Sequence, residues 1–147
     1  MNTIQRLIPT VAGYLLGAIM MFLGMNGLLR FLPQPPVPAE AGSFLGALAA
    51  TGYMFPLISL VEVVGGVMLL SGRFVPLALA LLAPVVVNAV LFHAVLSPAG
   101  LGVVLIILAL EIGLAAANRE AYAPMLRAHT ETRSTRKAIL VSPAAAS

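Results

Sequence analysis

The chain has 147 residues, of which 61% are hydrophobic and 9% are charged, and its net charge at pH 7 is +3. Soluble domains are about 45–50% apolar and about 25% charged, so this composition indicates a single integral membrane domain. The absence of cysteine excludes a disulfide framework, a thiol nucleophile, an iron–sulfur site and a covalent c-type haem in this chain. The basic residues cluster after the last apolar stretch, which membrane topology explains without a nucleic-acid partner.

The first predicted span covers residues 8–30, an apolar run long enough to cross a bilayer. A proline-rich segment follows, and it predicts an extended connection without a helix. Residues 40–50 then predict a short helix opened by Pro38. A helix continued through residue 70 would be about 45 Å long, more than the hydrocarbon thickness. We therefore predict a break at Thr51 and Gly52, with the short helix at the membrane surface or in a re-entrant position.

Three more spans follow, over residues 53–71, 74–96 and 101–118, and the turns between them are short. Short turns make consecutive helices antiparallel neighbours. The predicted fold is all-α: an integral membrane up-down-up-down four-helix bundle with a short interfacial helix between spans 1 and 2. Residues 1–122 form this membrane domain, and residues 123–147 form a basic, flexible tail.

Four spans place both termini on one side of the membrane. That side collects most of the basic residues, whereas Arg30 stands alone on the other side. The residues on the shared side are Arg6, Arg73, Arg119, Arg127, Arg133, Arg136 and Lys137. The positive-inside rule therefore predicts that both termini are cytoplasmic.

Small residues at helical spacing predict close helix packing. Gly13, Gly17 and Gly24 share one face of span 1. A second stripe, formed by Ala109, Gly113 and Ala117, runs along span 4 and is also predicted to face a neighbouring helix.

Two glutamates, Glu62 and Glu111, lie inside the apolar spans. A carboxylate there costs at least about 2.5–3.5 kcal/mol, so such residues are functional candidates. Ser59 and Gly66 share a face with Glu62, and Ala115 and Asn118 share one with Glu111, so we expect both faces to point inward. Spans 2 and 4 lie diagonally in an up-down bundle, and two carboxylates facing each other near the midplane would share a proton.

Four further polar residues complete the predicted ligand-binding or proton site. Asn88 joins the glutamates at the midplane, while Asn26, Arg30 and His93 form an outer polar vestibule. Structural roles remain open for all six: hydrogen-bonded asparagines, an interfacial histidine, an arginine that reaches the membrane surface, and protonated carboxyls bonded within the bundle. No spacing of these residues supports a metal site.

Several runs resemble the DoxX family of small membrane proteins. They are Gly-Met-Asn-Gly at 24–27, Ala-Ala-Thr-Gly-Tyr at 49–53, Leu-Val-Glu-Val-Val-Gly-Gly-Val-Met-Leu-Leu at 60–70, Gly-Arg-Phe-Val-Pro-Leu at 72–77, and Leu-Ala-Pro at 82–84 with Asn88 and Phe92-His93. The resemblance covers about residues 10–125. It implies four membrane helices in the bacterial cytoplasmic membrane. It also implies an association with thiosulfate:quinone oxidoreductase subunits and with membrane complexes that handle thiols and oxidative stress.

The leading functional hypothesis is an accessory or anchor subunit of a membrane redox system, which is not an enzyme on its own. Quinone is then the candidate cofactor and a redox enzyme the candidate partner. Glu62 would exchange the quinol proton, and His93 or Asn88 would hydrogen-bond a ring oxygen. A proton-coupled transporter acting as a homo-oligomer is one alternative. A scaffold whose basic tail recruits a cytoplasmic protein or anionic lipid is the other.

Overall fold

The computed structural model describes residues 3–33 and 35–125, and every regular element in these ranges is helical. For residues 3–6 the description is limited to the backbone. The elements are α1 (Thr3–Leu29), α2 (Ala39–Ala50), α3 (Met54–Leu70), α4 (Val75–Val95), a 3-10 turn (Pro98–Gly100), α5 (Leu101–Ala117) and α6 (Arg119–Tyr122). Residues 126–147, and with them most of the predicted tail, lie outside the described residues.

Within the described ranges, three helical stretches are long and apolar enough to cross a membrane: Leu7–Leu29, Val75–Val95 and Pro98–Ala117. Helices α2 and α3 pass the same test only as a pair, and their axes are bent by 89°. These stretches indicate a multi-pass membrane protein with three or four crossings. The α3 and α4 bounds differ from the predicted spans by one residue at each end.

The predicted break between the short helix and the second span is confirmed. Gly52 has a φ of +73°, a left-handed conformation that a residue with a side chain rarely adopts. The Thr51 hydroxyl donates to the carbonyl of Leu48 at 2.6 Å and accepts from the N–H of Met54 at 3.2 Å. Thr51 therefore ends α2 and begins α3, because its hydroxyl bonds to both sides of the bend.

Helices α1 and α3 form an antiparallel pair whose backbones nearly touch. A Cβ atom added to Gly24 would lie 2.7 Å from the carbonyl oxygen of Ser59, and one added to Gly66 would lie 2.7 Å from the backbone nitrogen of Met21. A Cβ atom added to Gly17 would lie 3.0 Å from the carbonyl oxygen of Gly66. The predicted packing role of Gly17 and Gly24 is thus observed, and Gly66 provides the matching surface on α3.

The other helices complete a ring around a common core. Helix α3 also packs on α4, where Leu82 fits against Gly65, and α4 packs on α5. Helix α5 returns to α1, where Gly13 faces Leu114 at 3.9 Å from an added Cβ. The main contacts of α3 and of α5 are therefore with α1 and α4, so α3 and α5 lie opposite each other.

The fully packed core lies between the four long helices. It includes Leu16 of α1, Leu69 of α3, Leu82 of α4, and Ile107 and Leu114 of α5, all at most 4% exposed. Leu69 and Leu114 lie near the ends of α3 and α5, whereas Leu16 and Ile107 lie nearer the middle of α1 and α5. The end of the ring where α1 and α4 begin and where α3 and α5 end is called the termini end. The opposite end, which carries α2 and the 3-10 turn, is called the α2 end.

The prediction for the second small-residue stripe is wrong. Ala109, Gly113 and Ala117 are exposed on α5, and a Cβ atom added to Gly113 would meet nothing within 4 Å. The buried face of α5 instead carries Val104, Ile107, Glu111 and Leu114. Small-residue spacing is equally compatible with a lipid-facing surface, and the larger apolar residues fill the space between the helices.

Tyr122 ties α6 to the start of α4. Its hydroxyl donates to the carbonyl of Pro76 at 2.9 Å. Burial raises the pKa of Tyr122, and a carboxylate at Glu111 raises this pKa further, so the hydroxyl keeps its proton and remains a donor.

We expect Tyr122→Phe to lower the free energy of unfolding by about 0.5–1.5 kcal/mol, because it removes this hydrogen bond. Denaturant titration in mixed micelles measures the change. Tyr53→Phe is the control, since the Tyr53 side chain is exposed. Equal stability of Tyr122→Phe and wild type would show that the bond does not hold α6 in place.

Candidate functional site

A groove of about 320 Å³ lies between α2, α3 and α4 at the α2 end of the ring. Its walls are mostly apolar, and two polar side chains, Glu62 and Asn88, enter it. The lining residues are Phe44, Leu48, Met54, Ile58, Glu62, Pro84, Val85, Asn88 and Ala89. The groove thus combines the apolar surface and the few polar groups that are typical of small-molecule sites.

The helix geometry brings Glu62 and Asn88 toward each other. The contact between Gly65 and Leu82 sets the antiparallel register of α3 and α4, which places Glu62 about one helical turn from Asn88 along the groove. Side chains on a helix lean toward its N-terminus, so on antiparallel helices these two lean in opposite directions. Their carboxyl and amide groups therefore converge on the same part of the groove.

Neither the Glu62 side chain nor the Asn88 side chain makes a hydrogen bond within the described part of the chain. By contrast, Asn118 donates to the carbonyl of Leu114 at 2.8 Å. Polar groups without a partner are costly in hydrocarbon, where no water replaces the missing bond. Both groove residues are thus free to bind a ligand that offers hydrogen-bonding atoms.

Pro84 lines the groove and interrupts the backbone hydrogen bonds of α4. Helix α4 runs continuously through Pro84, which has no N–H to offer the carbonyl of Ala80. This carbonyl lies one helical turn before Pro84 and on the same side of α4. The Ala80 carbonyl is therefore a backbone acceptor without its helical partner, one turn from Pro84.

Helix α2 covers the groove from the α2 end. The rings of Phe44 and Phe92 lie 5.8 Å apart, centroid to centroid, and Leu48 reaches the groove one turn later. Ala41 is the one buried residue of α2, so this helix lies on the surface of the ring.

Glu111 occupies a different environment from Glu62. It is 5% exposed, and its Oε1 atom has no hydrogen-bond partner among the described residues. Its neighbours on the buried face of α5 are apolar, and it does not line the groove. The inward direction predicted for Glu111 is observed. The predicted pair of carboxylates facing each other is not, because Glu62 turns toward α2 and α4.

Asn26 and Arg30 end α1 at the α2 end. The Leu32 N–H donates to Oδ1 of Asn26 at 2.9 Å, so this side chain holds the segment that follows the helix. Arg30 has a φ of 51° and is exposed, as expected for the residue that follows a helix end. Neither residue lines the groove that holds Glu62 and Asn88.

The His93 side chain packs against the turn between α4 and α5 and hydrogen-bonds to it. Its Nδ1 donates to the carbonyl of Ser97 at 2.8 Å, and its ring packs against Gly100 and, edge-on, against Phe92. His93 also does not line the groove. Of the six residues predicted for the site, the structure thus brings together Glu62 and Asn88.

Sequence reasoning missed the apolar residues that shape the groove. Met54 and Ile58 precede Glu62 at four-residue intervals on α3, a spacing that places all three on one side of the helix. That signal was available in the sequence, whereas the approach of Phe44 and Leu48 depends on how α2 folds back.

Searches of protein families, of curated proteins and of solved structures find no match to this chain.

Proposed function

We propose that the chain is an up-down-up-down four-helix membrane bundle in which α2 lies at the bilayer surface. The antiparallel contacts around the ring and the 89° bend between α2 and α3 support this topology. Arg73 and Arg119 at the termini end, against Arg30 at the α2 end, favour a cytoplasmic location of both termini. We also propose that the chain belongs to the DoxX family and lies in a bacterial cytoplasmic membrane. Both proposals depend on the sequence runs that resemble this family.

Within this bundle, the groove binds the head of a lipid-soluble quinone, and the chain acts as an accessory subunit of a membrane redox system. The observation that supports this function is the convergence of Glu62 and Asn88, both without protein partners, in an apolar groove. The volume of about 320 Å³ lies within the range of about 300–1,000 Å³ found for small-molecule sites. The homo-oligomer and the redox-enzyme partner remain part of the proposal.

The polar groups suit the two redox states of a quinone. A protonated Glu62 can donate a hydrogen bond to one ring oxygen, and the Asn88 amide can donate to the other. When the ligand is a quinol, an ionised Glu62 can accept one of the two hydroxyl protons, and the partner redox enzyme takes up the second proton. The electrons then pass to a partner protein, because a chain without cysteine holds no thiol or iron–sulfur acceptor.

A carrier function receives less support from the packing. A carrier would need a polar path from Glu62 to the termini end. The residues in between include Leu16, Leu69 and Leu82, the largest fully buried side chains of the core. The scaffold alternative depends on the basic tail, most of which lies outside the described residues.

A photoreactive quinone analogue tests the proposed site in wild-type protein reconstituted in lipid nanodiscs. We expect labelling of α3 and α4 that excess decylubiquinone suppresses. Glu62→Leu should weaken the competition about tenfold, because one hydrogen bond is lost and its donor is not replaced. Glu62→Gln should retain binding, because its amide can also donate a hydrogen bond. Quinone binding by this variant should not change with pH, because glutamine does not titrate.

Glu40→Leu is the matched control, since Glu40 is an exposed carboxylate on α2 that does not line the groove. Equal competition in wild type and Glu62→Leu, or labelling confined to other helices, would reject the groove as a quinone site.

A further inference from the structure

Helix α2 is joined to the ring by segments that leave it freedom to move. On its C-terminal side, residues 51–53 make the 89° bend, and an atom added at Gly52 would meet nothing within 4 Å. On its N-terminal side, residues 35–38 have no regular structure and include three prolines. Since neither connection is embedded in the packing of the ring, α2 can rotate without disturbing the core.

The contacts that hold α2 over the groove are few. Its main packing partner is α3, and its link to α4 is the ring contact between Phe44 and Phe92. Leu48 is the other α2 residue in the groove. Breaking the aromatic contact would therefore remove one of the contacts that hold α2 beside α4.

We propose that α2 is a hinged lid that turns about residues 51–53 and controls the exchange of ligand between the groove and the bilayer. This inference rests on the proposed function, because a lid is meaningful only where the groove takes a ligand. The contact between Phe44 and Phe92 closes the lid. The two hydrogen bonds of Thr51 stiffen the hinge by holding the end of α2 to the start of α3.

Crosslinking tests the lid directly, because the natural chain has no cysteine that would compete for the reagent. The double variant Phe44→Cys with Phe92→Cys is joined by a reducible bifunctional thiosulfonate. We expect labelling by the photoreactive quinone, followed in time after mixing, to become at least about tenfold slower, and reduction to restore the rate. The same pair before crosslinking is the reference.

A crosslink that leaves α2 free provides the control. Leu91→Cys with Val95→Cys joins two exposed positions one turn apart on α4. This crosslink should leave the labelling rate unchanged. A rate that is equal before and after the crosslink from Phe44 to Phe92 would overturn the lid and leave the quinone site standing.

Thr51 variants should change the rate in the opposite direction. Thr51→Val removes both hinge hydrogen bonds and should speed exchange between about twofold and tenfold. Thr51→Ser keeps the hydroxyl and should match wild type. Slower or unchanged exchange in Thr51→Val would contradict a hinge at this position.

A measurement without ligand separates failure of the lid from failure of the quinone site. Spin labels on Ala47→Cys and Val95→Cys report the distance from α2 to the end of α4 in nanodiscs. The lid requires two distance populations, and Thr51→Val should enlarge the longer one. One narrow population in both proteins would overturn the lid even if quinone binds. Two populations without any quinone labelling would instead retain the moving helix and reject the proposed ligand.

Discussion

Gly66→Leu is expected to lower the free energy of unfolding by about 3 kcal/mol, since it forces a side chain between two touching helices. A Cβ atom at Gly66 would lie 2.7 Å from the backbone nitrogen of Met21 and 2.8 Å from the carbonyl oxygen of Gly17. Both contacts are with backbone atoms, which cannot rotate away as a side chain can. Relief requires that α1 and α3 separate, and close packing is the main attraction between helices in lipid.

Gly113→Leu is the matched control for this prediction. Gly113 is also a glycine inside a helix, but an added Cβ meets nothing within 4 Å. The control variant should unfold at nearly the wild-type denaturant concentration in a mixed-micelle titration, whereas Gly66→Leu should unfold much earlier. Similar behaviour of the two variants would show that the close approach of α1 and α3 does not stabilise the protein.

Glu111→Leu is expected to raise the free energy of unfolding by about 1–3 kcal/mol, the cost of a buried polar atom without a partner. Glu111 is 5% exposed among apolar side chains, and its Oε1 atom has no partner in the described structure. Leucine is of similar size and removes the polar atoms altogether. Glu111→Gln should give a smaller gain, because an amide still buries polar atoms.

Quinone binding gives the second measurement on Glu111→Leu. Glu111 does not line the groove, so the competition by decylubiquinone should be unchanged, in contrast to Glu62→Leu. Lower stability of Glu111→Leu would mean that the carboxyl makes a needed hydrogen bond in the bilayer. Loss of quinone binding would mean that the two carboxyls act together, as the sequence led us to expect.

The two glutamates show why residue type and depth are weak guides to a site. Both lie in the middle of apolar spans, and the sequence offers the same reasons to assign each a function. The structure gives Glu62 a groove with a second free polar group, Asn88, whereas the other buried residues on the helix of Glu111 are apolar and Glu111 lines no part of this groove. The difference arises from rotation of the helices about their axes, which places one carboxyl toward α2 and the other in the core.

The sequence by itself determined the class of protein, the break before α3 and, to within about one residue at each end, the bounds of the helices from α2 to α5. These features depend on local properties: apolar runs of membrane length, the conformation that Gly52 permits, and the hydroxyl of Thr51.

Only the tertiary structure decided which face of each helix meets a neighbour. The α5 stripe at Gly113 has the same small-residue spacing as the α1 stripe at Gly17, yet the first is exposed and the second is buried. Asn26 lies at a similar depth to the groove, but its side chain bonds to the segment that follows its own helix. A span that is apolar on all sides carries no periodic signal of its buried face, so rotation and partner choice emerge only when all the helices pack together.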